Sequence, residues 1–380
     1  MNRIVLFAIT ALLHTYVGWR LIPSLAGWPL LAALLVATLL LSYVLMHLGL
    51  QFRRRAHRFG DQLSWASMTS MGLFSSLFVL TFLRDILLLL VSLVTSALAL
   101  SQPASIAADS ALFVPIAALV ITVVGLWNAR RTAAVVRVDV PIADLPDALE
   151  GFTIAQITDV HVGPTIKAPY VANIVDVVNR LNADMVAVTG DLVDGSVKDL
   201  SRHVSPLARL TSRHGTFFVT GNHEYYSGAH AWIAELRRLG LKVLLNEHVV
   251  LQHDDAKLVI AGVTDVSAHH FDAAHLSSPQ TAIADAPEHV LIRVLLAHQP
   301  RSAHKAEKAG FHLQLSGHTH GGQFLPWNFF VRLQQPFTAG LHRLKGLWVY
   351  VSRGTGYWGP PKRFGAPSEI TQLRLVRAAA

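Results

Sequence analysis

The residue types able to do chemistry in this chain occur in short polar clusters, each directly after an apolar run. Residues 152–157 lead into Thr158-Asp159-Val160-His161, and 185–189 lead into Gly190-Asp191. Residues 216–220 lead into Gly221-Asn222-His223-Glu224, 290–297 into His298, and 312–316 into Gly317-His318-Thr319-His320. Apolar runs of this length read as buried strands, and open α/β sheets build their sites at the carboxyl ends of such strands. Asp159, His161, Asp191, Asn222, His298, His318 and His320 are therefore candidate metal ligands. Carboxylate, imidazole and amide oxygen without thiolate suit Mn²⁺, Fe²⁺ or Zn²⁺, and the abundance of imidazole argues against Ca²⁺ or a pure Mg²⁺ site. These donors exceed the needs of one tetrahedral ion. Two divalent ions sharing a carboxylate would use them all, and metals paired roughly 3.5–4 Å apart suit in-line attack at phosphorus. Water on metal would be the nucleophile, so no serine or cysteine is required, and the chain contains no cysteine. The leaving oxygen still needs a proton, for which His223, beside Asn222, is the candidate general acid.

The segments between these clusters carry helical stripes. Val171, Ile174, Val175, Val178 and Leu181 form one, Leu200, Val204, Leu207 and Leu210 a second, and Trp232, Leu236 and Leu239 a third that Gly240 closes as a C-cap. Alternation of such stripes with short apolar runs after Val135 predicts an α/β domain. Gly190, Gly221 and Gly317 immediately precede three of the ligand clusters, where sharp turns would leave the β region.

Composition divides the chain. Of 380 residues, 52% are hydrophobic and only 15% charged, against roughly a quarter charged in ordinary soluble domains, which excludes a purely soluble protein. Residues 1–136 hold nine Arg and no Lys against Asp61, Asp85 and Asp109, a net of +6 out of +8 for the whole chain. The basic excess therefore flanks apolar segments, as it does around membrane spans, and no nucleic-acid partner is expected. Runs 4–19, 28–50 and 111–127 approach the roughly 20 residues that cross a bilayer as helix. Residues 65–100 are too long for one straight span, yet Arg84-Asp85 is the only interruption. We read this stretch as one span with an amphipathic approach, and Arg84-Asp85 as a helix bend or interfacial pair rather than an ion path. No small-x-small cleavage site follows the first run, so it is expected to be an uncleaved anchor. Arg53, Arg54, Arg55 and Arg58 follow the second span and Arg130 and Arg131 the fourth, whereas 101–110 lacks Lys and Arg. Positive-inside logic then predicts a multi-pass protein of the cell inner or plasma membrane with everything after Arg131 in the cytoplasm. The expected organisation is a transmembrane region of about four helices (1–131), a linker and first strand (132–150), and a catalytic domain (151–380).

Asp159-x-His161, Gly190-Asp191, Gly221-Asn222-His223-Glu224, His298 and Gly317-His318-x-His320 resemble the five ordered blocks of the calcineurin-like metallophosphoesterases, over about residues 150 to 370. Gly321-Gly322-Gln323 and Ser352-Arg353-Gly354 resemble the subgroup that joins N-terminal transmembrane helices to such a domain; Ser368 stands where related sequences often have proline. The resemblance implies an α/β, four-layer β-sandwich of two mixed sheets flanked by helices. It also implies that Asp159, His161, Asp191 and His320 hold one metal, that Asp191, Asn222, His298 and His318 hold the other, and that His223 is the general acid. The implied activity is hydrolysis of a phosphodiester or pyrophosphate by a metal-bridging hydroxide. The substrate would be a phosphate ester, lipid-linked or nucleotide-linked. The alternatives are a tethered phosphatase or phosphodiesterase for a soluble substrate and a catalytically silent scaffold. Arg353 and Arg363 are candidates to clamp a substrate phosphate. The apolar, aromatic segment 324–333 either meets lipid or packs on the sandwich.

Overall fold

The computed structural model describes residues 3–52, 59–101, 105–290 and 292–378. It forms two compact units, Met1–Trp127 with Gly359–Lys362, and Asn128–Trp358 with Arg363–Ala380.

The first unit contains α1 (Arg3–Leu21), α2 (Pro29–Phe52), α3 (Gly60–Ala97) and α4 (Ile106–Arg130), which leads into the second unit. All four are long and apolar enough to cross a membrane. Val17, Leu21, Leu35, Leu39, Phe74, Leu77, Val114 and Ala118 pack inward, whereas Leu34, Leu41, Leu90, Leu93, Phe113 and Val120 face outward. Helices apolar all round belong in lipid or in a large core. The 38 residues of α3 run without a turn through Arg84-Asp85, a rise of about 57 Å at 1.5 Å per residue. The two neighbours point different ways, as adjacent helix positions must. Asp85 accepts hydrogen bonds from the Tyr16 hydroxyl (2.7 Å) and from Arg20 (2.8 Å). Arg84 donates to the Ser24 and Ser110 hydroxyls and to the Ala107 carbonyl. Arg53, Arg54, Arg55 and Arg58, on which the orientation expectation rests, lie outside the described residues.

The second unit holds twelve strands: β1 (Ala134–Ile142), β2 (Thr153–Ile157), β3 (Met185–Val188), β4 (Thr216–Phe218), β5 (Lys242–Val243), β6 (Glu247–His253), β7 (Ala256–Gly262), β8 (Ile292–Leu296), β9 (Leu313–Ser316), β10 (Gly340–Leu344), β11 (Leu347–Val351) and β12 (Glu369–Arg377). They form two six-stranded mixed sheets, ordered β1-β12-β2-β3-β4-β5 and β10-β11-β9-β8-β7-β6. Within them β2, β3, β4 and β5 run parallel, as do β7, β8, β9 and β11. The inner faces meet through Ile154, Met185, Phe217, Leu258, Ile260, Val294, Leu313 and Leu373. Helices α5 (Ala168–Arg180), α6 (Val197–Val204), α7 (Asn222–Ser227) and α8 (Ala229–Arg238) follow strands of the first sheet. Helices α9 (Pro279–Ile283), α10 (Ala303–Lys308) and α11 (Asn328–Val331) belong to the second half. The predicted stripe of α5 packs Ile174 and Val178 on the first sheet together with Trp232 and Leu236 of α8, and Ala303 and Ala306 of α10 cover the second. The expected four layers are present. The second stripe is α-helical to Val204 and continues through a 3₁₀ turn at Ser205–Arg209, with Leu207 buried in the same core and extended Leu210 packed against it.

Candidate metal centre

The five polar clusters follow β2, β3, β4, β8 and β9, and the fold brings them to one end of the sandwich. His161 Nε2 lies 3.0 Å from His320 Nε2, and His320 Nε2 lies 3.6 Å from Asp159 Oδ1. In a second group His318 Nδ1 is 3.2 Å from His298 Nε2. Asp191 Oδ2 lies between the groups, 3.1 Å from His298 Nε2 and 3.9 Å from His161 Nε2. All of these side chains except His318 are buried, and His318 is half-buried. Asn222 opens α7 beside them, where the next backbone N–H, that of His223, donates to Asp191 Oδ1 at 2.8 Å.

The backbone is bent to make this convergence. Asp159, His161, Asp191, His318 and His320 all have left-handed φ values between 52° and 70°, a conformation that costs a non-glycine residue roughly 1–2 kcal/mol. Such strain collects where a site over-determines the chain. Of the three glycines expected at turns, only Gly190 has positive φ. Gly221 and Gly317 are required for clearance instead: a Cβ at Gly221 would stand 2.2 Å from Asp191 Oδ1, and one at Gly317 2.1 Å from Asp159 Oδ2.

Outer contacts fix the ligand atoms. The Thr189 carbonyl lies 2.8 Å from His298 Nδ1 and Arg363 Nη2 lies 3.0 Å from His320 Nδ1, so both rings present Nε2 to the centre. Asp159 accepts from the His318 N–H and the Thr158 hydroxyl. Burial and the charge on His298 push the His318 imidazole down to about 3, and burial and Arg363 hold His320 well below its ordinary value. Both rings are therefore uncharged at neutral pH. Burial alone would raise Asp191, but His298 overrides it and holds the carboxyl well below the usual carboxylate range.

Two residues outside the expected ligand set also shape the centre. Glu224 is buried and its carboxylate accepts from the N–H groups of Gly221 (2.6 Å), Asp191 (3.0 Å) and Leu192 (2.7 Å), tying two ligand turns together. From the third position of α7 it reaches back to the N–H of the N-cap, Gly221, as the acidic half of a capping box does. Asp194 contacts the His223 ring through Nδ1 and lies 3.4 Å from His161 Nδ1. It stands three residues after Asp191, in the same turn. Burial opposes a charge on His223, but the Asp194 hydrogen bond and the Asp191 carboxylate overcome it and raise His223 to about 9. His223 Nε2 is 3.9 Å from Asp191 Oδ2. The ring also meets Tyr226 and Trp358 edge to face.

Arg353 and Arg363, the candidate phosphate clamps, are both engaged by protein groups. Arg353 pairs with Glu369 at 2.7 Å, while Arg363 is fully buried and donates to the His320 and Gly356 carbonyls. Ser368 touches the Gly356 carbonyl. Gln323 brackets Trp358, donating to its carbonyl and accepting from its N–H, both at 2.8 Å.

Residues 152–322 match the family described as "Calcineurin-like phosphoesterase". An uncharacterized metallophosphoesterase of Aquifex aeolicus is 34% identical over 233 residues, covering 61% of this chain and 87% of that protein. The chain belongs to the calcineurin-like phosphoesterases. It is also similar to the "Transmembrane protein with metallophosphoesterase domain" of Bos taurus, 41% identical over 271 residues, and of Danio rerio, 36% identical over 267. Each alignment covers 68% of this chain and 61% of the relative, so the chain spans about three-fifths of the length of these two proteins.

Calcineurin-like phosphoesterases use divalent metals, and two features of this chain fit them. Asn222 Oδ1 is buried with no hydrogen-bond partner, which is costly for an amide oxygen unless a cation accepts it. The clearance at Gly221 and Gly317 lies directly against the carboxylates of Asp191 and Asp159.

Proposed function

We propose that the chain is a membrane-anchored, dinuclear metal-dependent phosphoester hydrolase. The observation that carries this reading is the position of Asp191 Oδ2 between two imidazole groups, within 3.1 Å of one and 3.9 Å of the other. Asp159, His161, Asp191 and His320 would hold one ion, and Asp191, Asn222, His298 and His318 the other, with Mn²⁺, Fe²⁺ or Zn²⁺ suited to the donors. Bound ions would supply Lewis-acid charge and an activated water for in-line attack at phosphorus. His223 then donates a proton to the leaving oxygen. It is suited to do so because Asp194 holds Nδ1 and leaves Nε2 on the side of Asp191. Glu224 keeps the Asp191 and Asn222 turns in register.

The helical unit would anchor the enzyme as a multi-pass membrane protein with a cytoplasmic catalytic unit, as the arginine distribution implies. Leu325, Trp327, Phe329, Phe330 and Leu333 are solvent-exposed and follow the last ligand cluster, which supports a lipid-linked phosphodiester or pyrophosphate as substrate. The test is side-by-side hydrolysis by purified full-length protein with Mn²⁺ of bis(p-nitrophenyl) phosphate, p-nitrophenyl phosphate and a phospholipid-linked pyrophosphate. The expected result is strong preference for the lipid-linked compound. Equal use of soluble compounds would instead make the helices a simple tether, and hydrolysis of none would return the silent-scaffold alternative.

A further inference from the structure

A cavity of about 540 Å³ opens off the Asn222–His318 side of the metal centre, within the range of small-ligand pockets, roughly 300–1,000 Å³. Two cationic side chains and two imidazoles line it. Arg301 and Lys305 line it from the segment that follows His298, and His269 and His270 line it from the loop after β7. All four side chains belong to solvent-exposed residues, and no Asp or Glu lines the cavity. Asp265, the nearby carboxylate, is buried and committed elsewhere: Oδ1 accepts from the Ser267 N–H and hydroxyl, and both oxygens accept from Gln299. Arg301 is steadied by one bond from Nη2 to the Gln334 carbonyl, which leaves other guanidinium N–H groups to act.

Arg301 and Lys305 stand outside the ligand set, yet they bring positive side chains to the cavity that Asn222 and His318 share. We propose that Arg301 and Lys305 form a subsite for a second anionic group, so that the preferred substrates carry a phosphate or carboxylate beyond the scissile phosphoester. This proposal rests on the phosphoesterase reading above and narrows its substrate class. Arg suits such a group because its planar fork engages an oxyanion through two donors, with Lys adding a mobile point charge. The same cavity meets the aromatic face of Tyr226, which gives the uncharged part of a substrate a surface to stack on.

The experiment compares wild type with the R301Q/K305Q double variant and its charge-preserving counterpart R301K/K305R, all as full-length protein with Mn²⁺. The two substrates are bis(p-nitrophenyl) phosphate, which has a single anionic group, and ADP-ribose, a pyrophosphate diester with a second. For R301Q/K305Q the KM for ADP-ribose should rise tenfold or more relative to the KM for bis(p-nitrophenyl) phosphate, and R301K/K305R should restore most of the ratio. An unchanged KM ratio in R301Q/K305Q overturns the subsite while leaving the hydrolase intact. Failure of wild type to hydrolyse ADP-ribose overturns the subsite, and failure to hydrolyse ADP-ribose, bis(p-nitrophenyl) phosphate and the lipid-linked pyrophosphate alike overturns the phosphoesterase reading with it.

Discussion

His223 and Asp194 form a residue-scale pair whose electrostatics can be checked without turnover. In protein stripped of metal by a chelator, Asp194→Asn should bring the His223 pKa from about 9 back toward its ordinary value near 6.5, read by NMR titration of the imidazole. The sign follows from the raised pKa. The imidazolium–carboxylate attraction stabilises the metal-free fold fully below about pH 6.5 and is lost as pH rises through about 9. An Asp194→Asn protein whose His223 still titrated near 9 would dissociate the two residues. Asp194 was legible only in part: its place in the Gly190-Asp191 turn is evident, but its bond to His223 bridges two clusters that the sequence separates by 29 residues. The ligand set itself was open to sequence reading because each donor ends an apolar run. The partners of Arg353 and Arg363 were not legible, since nothing local reveals that Glu369 and the His320 and Gly356 carbonyls will engage them.

At the scale of elements, strand ends do the positioning, and they do it by close approach as much as by torsion. Gly317→Ala places a methyl group 2.1 Å from Asp159 Oδ2 and 2.3 Å from Thr158 Oγ1, so β2 and β9 must separate where they carry four ligands. We expect a loss of about 1–3 kcal/mol of stability from such overpacking and a fall in bound metal, measured by thermal melting and elemental analysis of one preparation. Wild-type melting and metal content would refute the clearance argument. The parallel strands β2, β3, β8 and β9 were readable within a few residues, because burial on both faces makes them continuous apolar runs. Strand β12 carries no ligand cluster at its end to mark it, and its pairing with β1, more than 200 residues away, leaves no local trace.

The chain joins four helices long and apolar enough to cross a membrane to a unit of the calcineurin-like phosphoesterase family. A green fluorescent protein fused after Ala380 should fluoresce and an alkaline phosphatase fused there should be inactive, as a cytoplasmic C-terminus requires; the reverse pattern would invert the orientation. The apolar runs made the helices readable, but the partners of the Arg84-Asp85 pair were not, since Tyr16 and Arg20 meet Asp85 and Ser110 meets Arg84 from segments distant in sequence. The central claim is the shared carboxylate, and metal content per chain tests it most directly. Elemental analysis of purified full-length protein should find about two transition-metal ions per chain in wild type and in His223→Ala, the latter with turnover reduced about 10²- to 10⁴-fold. Asp191→Ala should retain fewer than one ion per chain and no turnover. Two ions per chain in Asp191→Ala, or none in active wild type, would contradict the account.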